Sequence, residues 1–136
     1  MIFIDTGYLI AVFDPTDHLH TRAIGWGCTM TRRPLFTTTA VIIEFFNHFS
    51  ATYRRPQLSQ FLAALSAAPG FSLLPVDHGL WDRSLALHRT RPDKDWSLTD
   101  CISFSVMTDH KITQALAYDH HFEQAGFEAL LRRDPS

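Results

Sequence analysis

Cysteine is nearly absent. Cys28 and Cys101 are the only two. They are too few for a disulfide framework and lack the spacing of a metal site, which fits a reducing compartment and predicts two buried thiols. Nor is charge of one sign in excess: 12 Lys and Arg stand against 14 Asp and Glu, a formal net charge of −2. Without a global basic field, any nucleic-acid contact has to be local. No apolar run approaches the roughly 18 residues of a bilayer span, and no basic region precedes the apolar start, so the expectation is a cytoplasmic protein with no membrane segment. A Gly-rich phosphate loop, a Gly-x-Ser-x-Gly elbow and a Cys-His signature are all missing, which argues against covalent catalysis.

What the chain does have is apolar bulk. Its 136 residues are 46% hydrophobic, with 11 Phe, three Trp and three Tyr. That length and composition suit one globular domain, residues 1–136, and exclude disorder. Met1 to Ile4 form a short apolar run stopped by Asp5, the mark of a buried parallel strand. Thr6–Phe13 and His18–Arg32 read as helices, Leu35–Thr37 as a second strand, and Thr38 and Thr39 as candidate N-caps of an apolar helix from Val41 to about Tyr53. Gln57–Ala68 is an amphipathic helix ended by Pro69 and Gly70. Phe71–Val76 reads as a strand at a sheet edge, since it contains Pro75. Gly79–Thr90 is helical, and Ser97 opens another helix through a Ser-x-x-Asp capping pattern that ends at Asp100. Ala115–Tyr118 is a fourth strand stopping before Asp119, and Phe127–Leu131 suggests a fifth. Such alternation specifies an α/β fold with a mainly parallel sheet of four or five strands flanked by helices.

In such a sheet the ligand crevice lies outside the carboxyl ends of the strands, which singles out Asp5 and Asp119. Only three Glu occur, and Glu44 lies within the apolar helix 41–53; it faces solvent, or it is buried against a cation or hydrogen-bond donors. Asp100 has a sufficient role in capping its own helix, and the two strand-end aspartates read equally well as turn residues. Taken together, the four would converge on one crevice. Two carboxylates about 4 Å apart repel by about 4 kcal/mol at an effective dielectric near 20, so such a site takes up protons or a cation. Oxygen donors select hard divalent ions, Mg²⁺ or Mn²⁺, which suits metal-assisted phosphodiester cleavage.

Four segments carry a family resemblance: Ile2-Phe3-Ile4-Asp5-Thr6, Thr39-Ala40-Val41-Ile42-Ile43-Glu44, Asp95-Trp96-Ser97-Leu98-Thr99-Asp100, and Ala117-Tyr118-Asp119-His120-His121-Phe122 with the later Ala125-Gly126-Phe127. In this order they resemble the successive motifs of PIN-domain ribonucleases, most of all the VapC-type toxins of bacterial toxin-antitoxin pairs. The resemblance implies a three-layer PIN-like fold and an endoribonuclease dependent on Mg²⁺ or Mn²⁺. It also implies a homodimer and inhibition by a cognate VapB-like antitoxin. Asp5, Glu44, Asp100 and Asp119 match the family's metal-site acids, which are also its catalytic residues. Thr6 matches a hydroxyl that helps hold the first carboxylate. Cys101 departs from the usual small Ala.

Other residues are weaker candidates. Asp95 either supports the site from its loop or is a surface acid. His120 and His121 read as polar residues of a solvated turn, because neighbours diverge and both cannot easily reach one ion. Ten of the 12 basic residues are Arg, which forks onto phosphates. Of the clusters Arg32-Arg33, Arg54-Arg55, Arg89 with Arg91, and Arg132-Arg133, the second would touch substrate only if its helix end came near the crevice. Two further readings remain: a DNA or flap nuclease on the same acids, and a catalytically silent PIN-like module that binds RNA or protein.

Overall fold

The computed structural model describes residues 1–51 and 53–136. Five strands, β1 (Ile2–Ile4), β2 (Leu35–Thr38), β3 (Phe71–Leu74), β4 (Gln114–Leu116) and β5 (Glu128–Ala129), form one sheet in the order β3-β2-β1-β4-β5. Every pairing is parallel. Seven helices connect them: α1 (Thr6–Phe13), α2 (His20–Thr29), α3 (Thr39–His48), α4 (Arg55–Ala67), α5 (His78–Thr90), α6 (Leu98–Asp109) and α7 (His120–Gln124). This is the three-layer α/β architecture expected, with all five strands present.

The strand order has a direct consequence for the site. From β1 the chain steps outward through β2 to β3, then crosses back to lay β4 on the other side of β1. Right-handed crossovers in opposite directions place their helices on opposite faces. Helix α1 packs on α2 and α3, α6 packs on α5 and α7, and α3 also meets α6 where the two groups join. The carboxyl ends of β1 and β4 flank the point where the direction reverses, and a crevice opens there because the connections leave it on different faces.

Central β1 is fully buried, as its unbroken apolar run requires. Phe13, Phe45, Phe49 and Phe61 interlock with ring centroids 5.0–5.7 Å apart, so the aromatic face of α3 is core. Edge strand β3 stops before Pro75, which has no N–H to offer a ladder.

Several expectations need correction. Cys101 is buried but Cys28 is exposed, because its side of α2 faces away from the sheet. Helix α3 ends at His48, short of Tyr53; the remainder of that expected helix includes residue 52, outside the described residues. Strand β4 ends at Leu116, short of Tyr118, and Asp119 is the N-cap of α7, a helix where a turn was expected.

Candidate active site

Asp5 follows β1 directly. Its backbone N–H donates to Leu116 O (3.1 Å), which ties the end of β1 to the end of β4. Although it precedes α1, its side chain makes no capping bond to that helix. It is only 9% exposed. Burial pushes its pKa up from 3.8 to about 8; the Thr6 backbone N–H opposes the rise, and the charges of Asp100, Glu44 and Asp119 add to it. Folding thus brings the four acids within electrostatic reach of one another.

The other three arrive on helices. Ser97 and Asp100 form a reciprocal capping box at the start of α6, with Asp100 N–H donating to Ser97 Oγ (3.0 Å) and Ser97 N–H to Asp100 Oδ2 (3.1 Å). Burial raises the Asp100 pKa, the Ser97 N–H lowers it, Asp119 raises it and His121 lowers it. Asp119 caps α7, its Oδ1 accepting from His121 N–H at 3.0 Å. Glu44, on α3, is exposed, yet it lines the same cleft. The helical period turns Ile42 and Phe45 into the core and Ile43 and Glu44 outward, and here the outward side is the wall of a concavity.

These four acids line one cleft of about 650 Å³. Thr6 and Asp95 line it too. The Thr6 hydroxyl is buried without a hydrogen-bond partner, and a buried polar group left in that state is costly. A buried carboxyl and three further acids offer oxygen donors that suit a hard divalent cation, beside the ring nitrogens of His120 and His121. Asp5, Glu44, Asp100 and Asp119 would hold it.

Sequence reasoning undervalued His121. Its ring is 16% exposed and sits between two of the acids, Nδ1 lying 3.1 Å from Asp100 Oδ2 and 3.2 Å from Asp119 Oδ1. Nδ1 is hydrogen-bonded with Asp100 Oδ2, while the backbone N–H of the same residue donates to Asp119 Oδ1, so His121 touches both acids. His120 lies beside it, ring centroids 4.5 Å apart, and Asp119, His120 and His121 bring one ligand atom each within 4.8 Å of one another. The findable signal was an Asp-x-x-Phe step, a capping acid followed by an apolar anchor, since Phe122 is fully buried.

Among the described residues, Arg132 is the one arginine lining the cleft. Arg54 pairs with Asp14 (3.7 Å) and Arg55 lines a separate recess beside Phe46 and Asn47, so the condition set for that pair is not met.

A cleft of converging acids at the reversal point of a five-stranded parallel sheet defines the class, and the family model for the PIN domain matches residues 2–128. The chain belongs to the PIN domain family. Among solved structures it is similar to VapC20 of Mycobacterium tuberculosis, described as a sarcin-ricin loop cleaving toxin. The TM-score is 0.84 at 23% identity, covering 93% of this chain and 96% of that one. It is also similar to FitAcB of Neisseria gonorrhoeae, with a TM-score of 0.66 at 17% identity and 95% of each chain covered. At these identities the likeness establishes the fold. No curated protein matches the sequence.

Proposed function

We propose that this chain is a divalent-metal-dependent endoribonuclease and the toxin of a toxin-antitoxin pair, acting as a single domain. In this reading Asp5, Glu44, Asp100 and Asp119 hold Mg²⁺ or Mn²⁺, with Thr6 and Asp95 in support. The observation that carries it is the convergence of Asp5, Glu44, Asp100 and Asp119 on one cleft, with the Asp5 carboxyl buried. Carboxylates gathered in this way attract a cation from solution. The family membership and the description of VapC20 as a toxin that cleaves the sarcin-ricin loop support RNA as substrate. A VapB-like antitoxin, a homodimer and a cytoplasmic location belong to the same reading.

A bound divalent ion supplies positive charge against the phosphate and makes a water molecule more acidic. The chain's own groups fix the geometry. Asp5 is immobilised by its burial and by the bond from its N–H to β4. The capping box holds Asp100 through Oδ2, which leaves the other oxygen outside both recorded bonds. His121, with its ring on Asp100 and its backbone N–H on Asp119, keeps the two carboxylates at a fixed separation, so that little rearrangement is needed when substrate arrives.

The test is cleavage of labelled single-stranded RNA and single-stranded DNA with Mg²⁺, with Mn²⁺ and with chelator. RNA is cut only with metal, and Asp5→Asn, nearly isosteric but one charge short, lowers the rate at least a hundredfold without loss of fold by circular dichroism. Preferential DNA cleavage would support the DNA-nuclease reading. No cleavage by antitoxin-free protein at any metal concentration would leave a binding module.

A further inference from the structure

Tyr118 is a large aromatic residue left 37% exposed, one position before Asp119. It lines the acidic cleft and also a second cavity of about 660 Å³, and His18 and Leu19 are shared with it in both walls. Tyr118, His18 and Leu19 thus stand in the walls of both cavities. The guanidinium of Arg132 lies over that ring, 4.6 Å from its centroid. The edge of His18 meets it nearly perpendicularly, with centroids 5.8 Å apart and an interplanar angle of 85°. The backbone beneath is pinned independently of the side chain: Arg132 Nη1 donates to Tyr118 O (3.2 Å) and Leu131 N–H to Ala117 O (3.0 Å). A firmly held, half-open stack of ring and guanidinium needs no such exposure to serve the core.

We infer that the Tyr118–Arg132 stack, edged by His18, is the platform on which one unpaired nucleobase of the RNA lies next to the phosphate that is cut. The inference rests on the ribonuclease reading and names the nucleotide recognised at that same site. If the phosphate sits over Asp5, Asp100 and Asp119, the adjoining nucleotide must leave the cleft across a neighbouring wall, and Tyr118 is the residue adjacent to Asp119. Flat bases stack on aromatic rings and on guanidinium planes, and such stacking is tolerant of sequence. The Arg132 guanidinium, which also pairs with Glu123 (3.7 Å), keeps a cation beside the polyanionic backbone. A base held there is taken out of any helix, so the platform selects an unpaired nucleotide rather than a particular base.

The probe is a short unstructured RNA with 2-aminopurine stepped through successive positions, bound to the full chain in Ca²⁺ and followed by fluorescence quenching. In parallel, cleavage of the same RNA is measured in Mn²⁺, free and annealed to its complement. With wild-type protein one position is quenched on binding and the annealed RNA is cut poorly. Tyr118→Ala loses that quenching, its KM rises roughly tenfold, in line with the loss of one base–aromatic stack, and kcat falls by less than threefold. Tyr118→Phe keeps both quenching and KM. Equal KM and quenching in the alanine variant overturn the platform, as does a phenylalanine variant as poor as alanine. Unaltered RNA kinetics with weakened binding of an antitoxin peptide would instead make the stack a protein contact and also overturn the platform. Failure of the ribonuclease reading is separate: it appears as absence of metal-dependent cleavage by the wild type.

Discussion

Asp5 gives up most of its hydration to sit at the end of β1, and the folded chain bears that cost unless the carboxyl keeps its proton. The sign follows from linkage. With a pKa of 3.8 in the unfolded chain and about 8 in the folded one, the folded state binds more protons between these values. The associated stability is present below about pH 4 and is lost as pH rises through 8. In chelator, Asp5→Asn should therefore be more stable than the wild type, with a gap wider at pH 8 than at pH 5 by up to about 4 kcal/mol. Urea denaturation of both proteins at the two pH values measures it, and parallel pH profiles would show that Asp5 is solvated like an ordinary carboxylate. His121 supports a second expectation. Since its ring lies 3.1 Å from Asp100 and 3.2 Å from Asp119, His121→Ala should lower kcat more than it raises KM, while His121→Asn, which retains a polar side chain there, recovers part of the loss.

At the scale of single elements, the start of α6 couples folding to the site most tightly, because one capping box both begins the helix and orients Asp100. Ser97→Ala removes the acceptor for the Asp100 N–H, at a cost of about 1 kcal/mol. Because the backbone N–H that holds Asp100 Oδ2 survives in alanine, kcat/KM should fall by less than threefold, and Ser97→Thr should keep both stability and rate. Thermal melts and cleavage assays on the two variants separate these outcomes. That box was legible in the sequence, as were the apolar strands and the edge position of β3, because each rests on contacts within a few residues. Helix α7 was not: five residues offer no periodicity, and its formation depends on Phe122 packing against Phe3 and Phe104 from distant elements. With α7 went the position of His121. For Glu44 the sequence leaves both a solvent-facing and a buried reading, and only the assembled cleft makes an outward-facing residue part of a site.

For the whole molecule, the reversal in strand order gathers acids that are far apart in the unfolded chain, so their mutual repulsion exists only after folding. The net charge of −2 conceals this, because it averages a concentrated negative cleft over a nearly neutral surface. A divalent ion that binds only the folded state should relieve the repulsion and add RT ln(1 + [L]/Kd), about 2.7 kcal/mol at a hundredfold excess over Kd, or roughly 9 °C in Tm for a chain of this length. Asp119→Asn probes the charge cleanly, because asparagine caps a helix as well as aspartate does and α7 is retained. Without metal this variant should melt at or above the wild-type temperature, and saturating Mn²⁺ should raise its Tm by less than half the wild-type shift. Asp77 caps α5 through a bond to Leu80 N–H (2.8 Å) and does not line the cleft, so Asp77→Asn is the matched control and should keep the full Mn²⁺ response. Differential scanning fluorimetry of the three proteins, in chelator and in Mn²⁺, discriminates: equal shifts in all would place the ion elsewhere on the surface, and no shift in any would remove the metal from the proposed site.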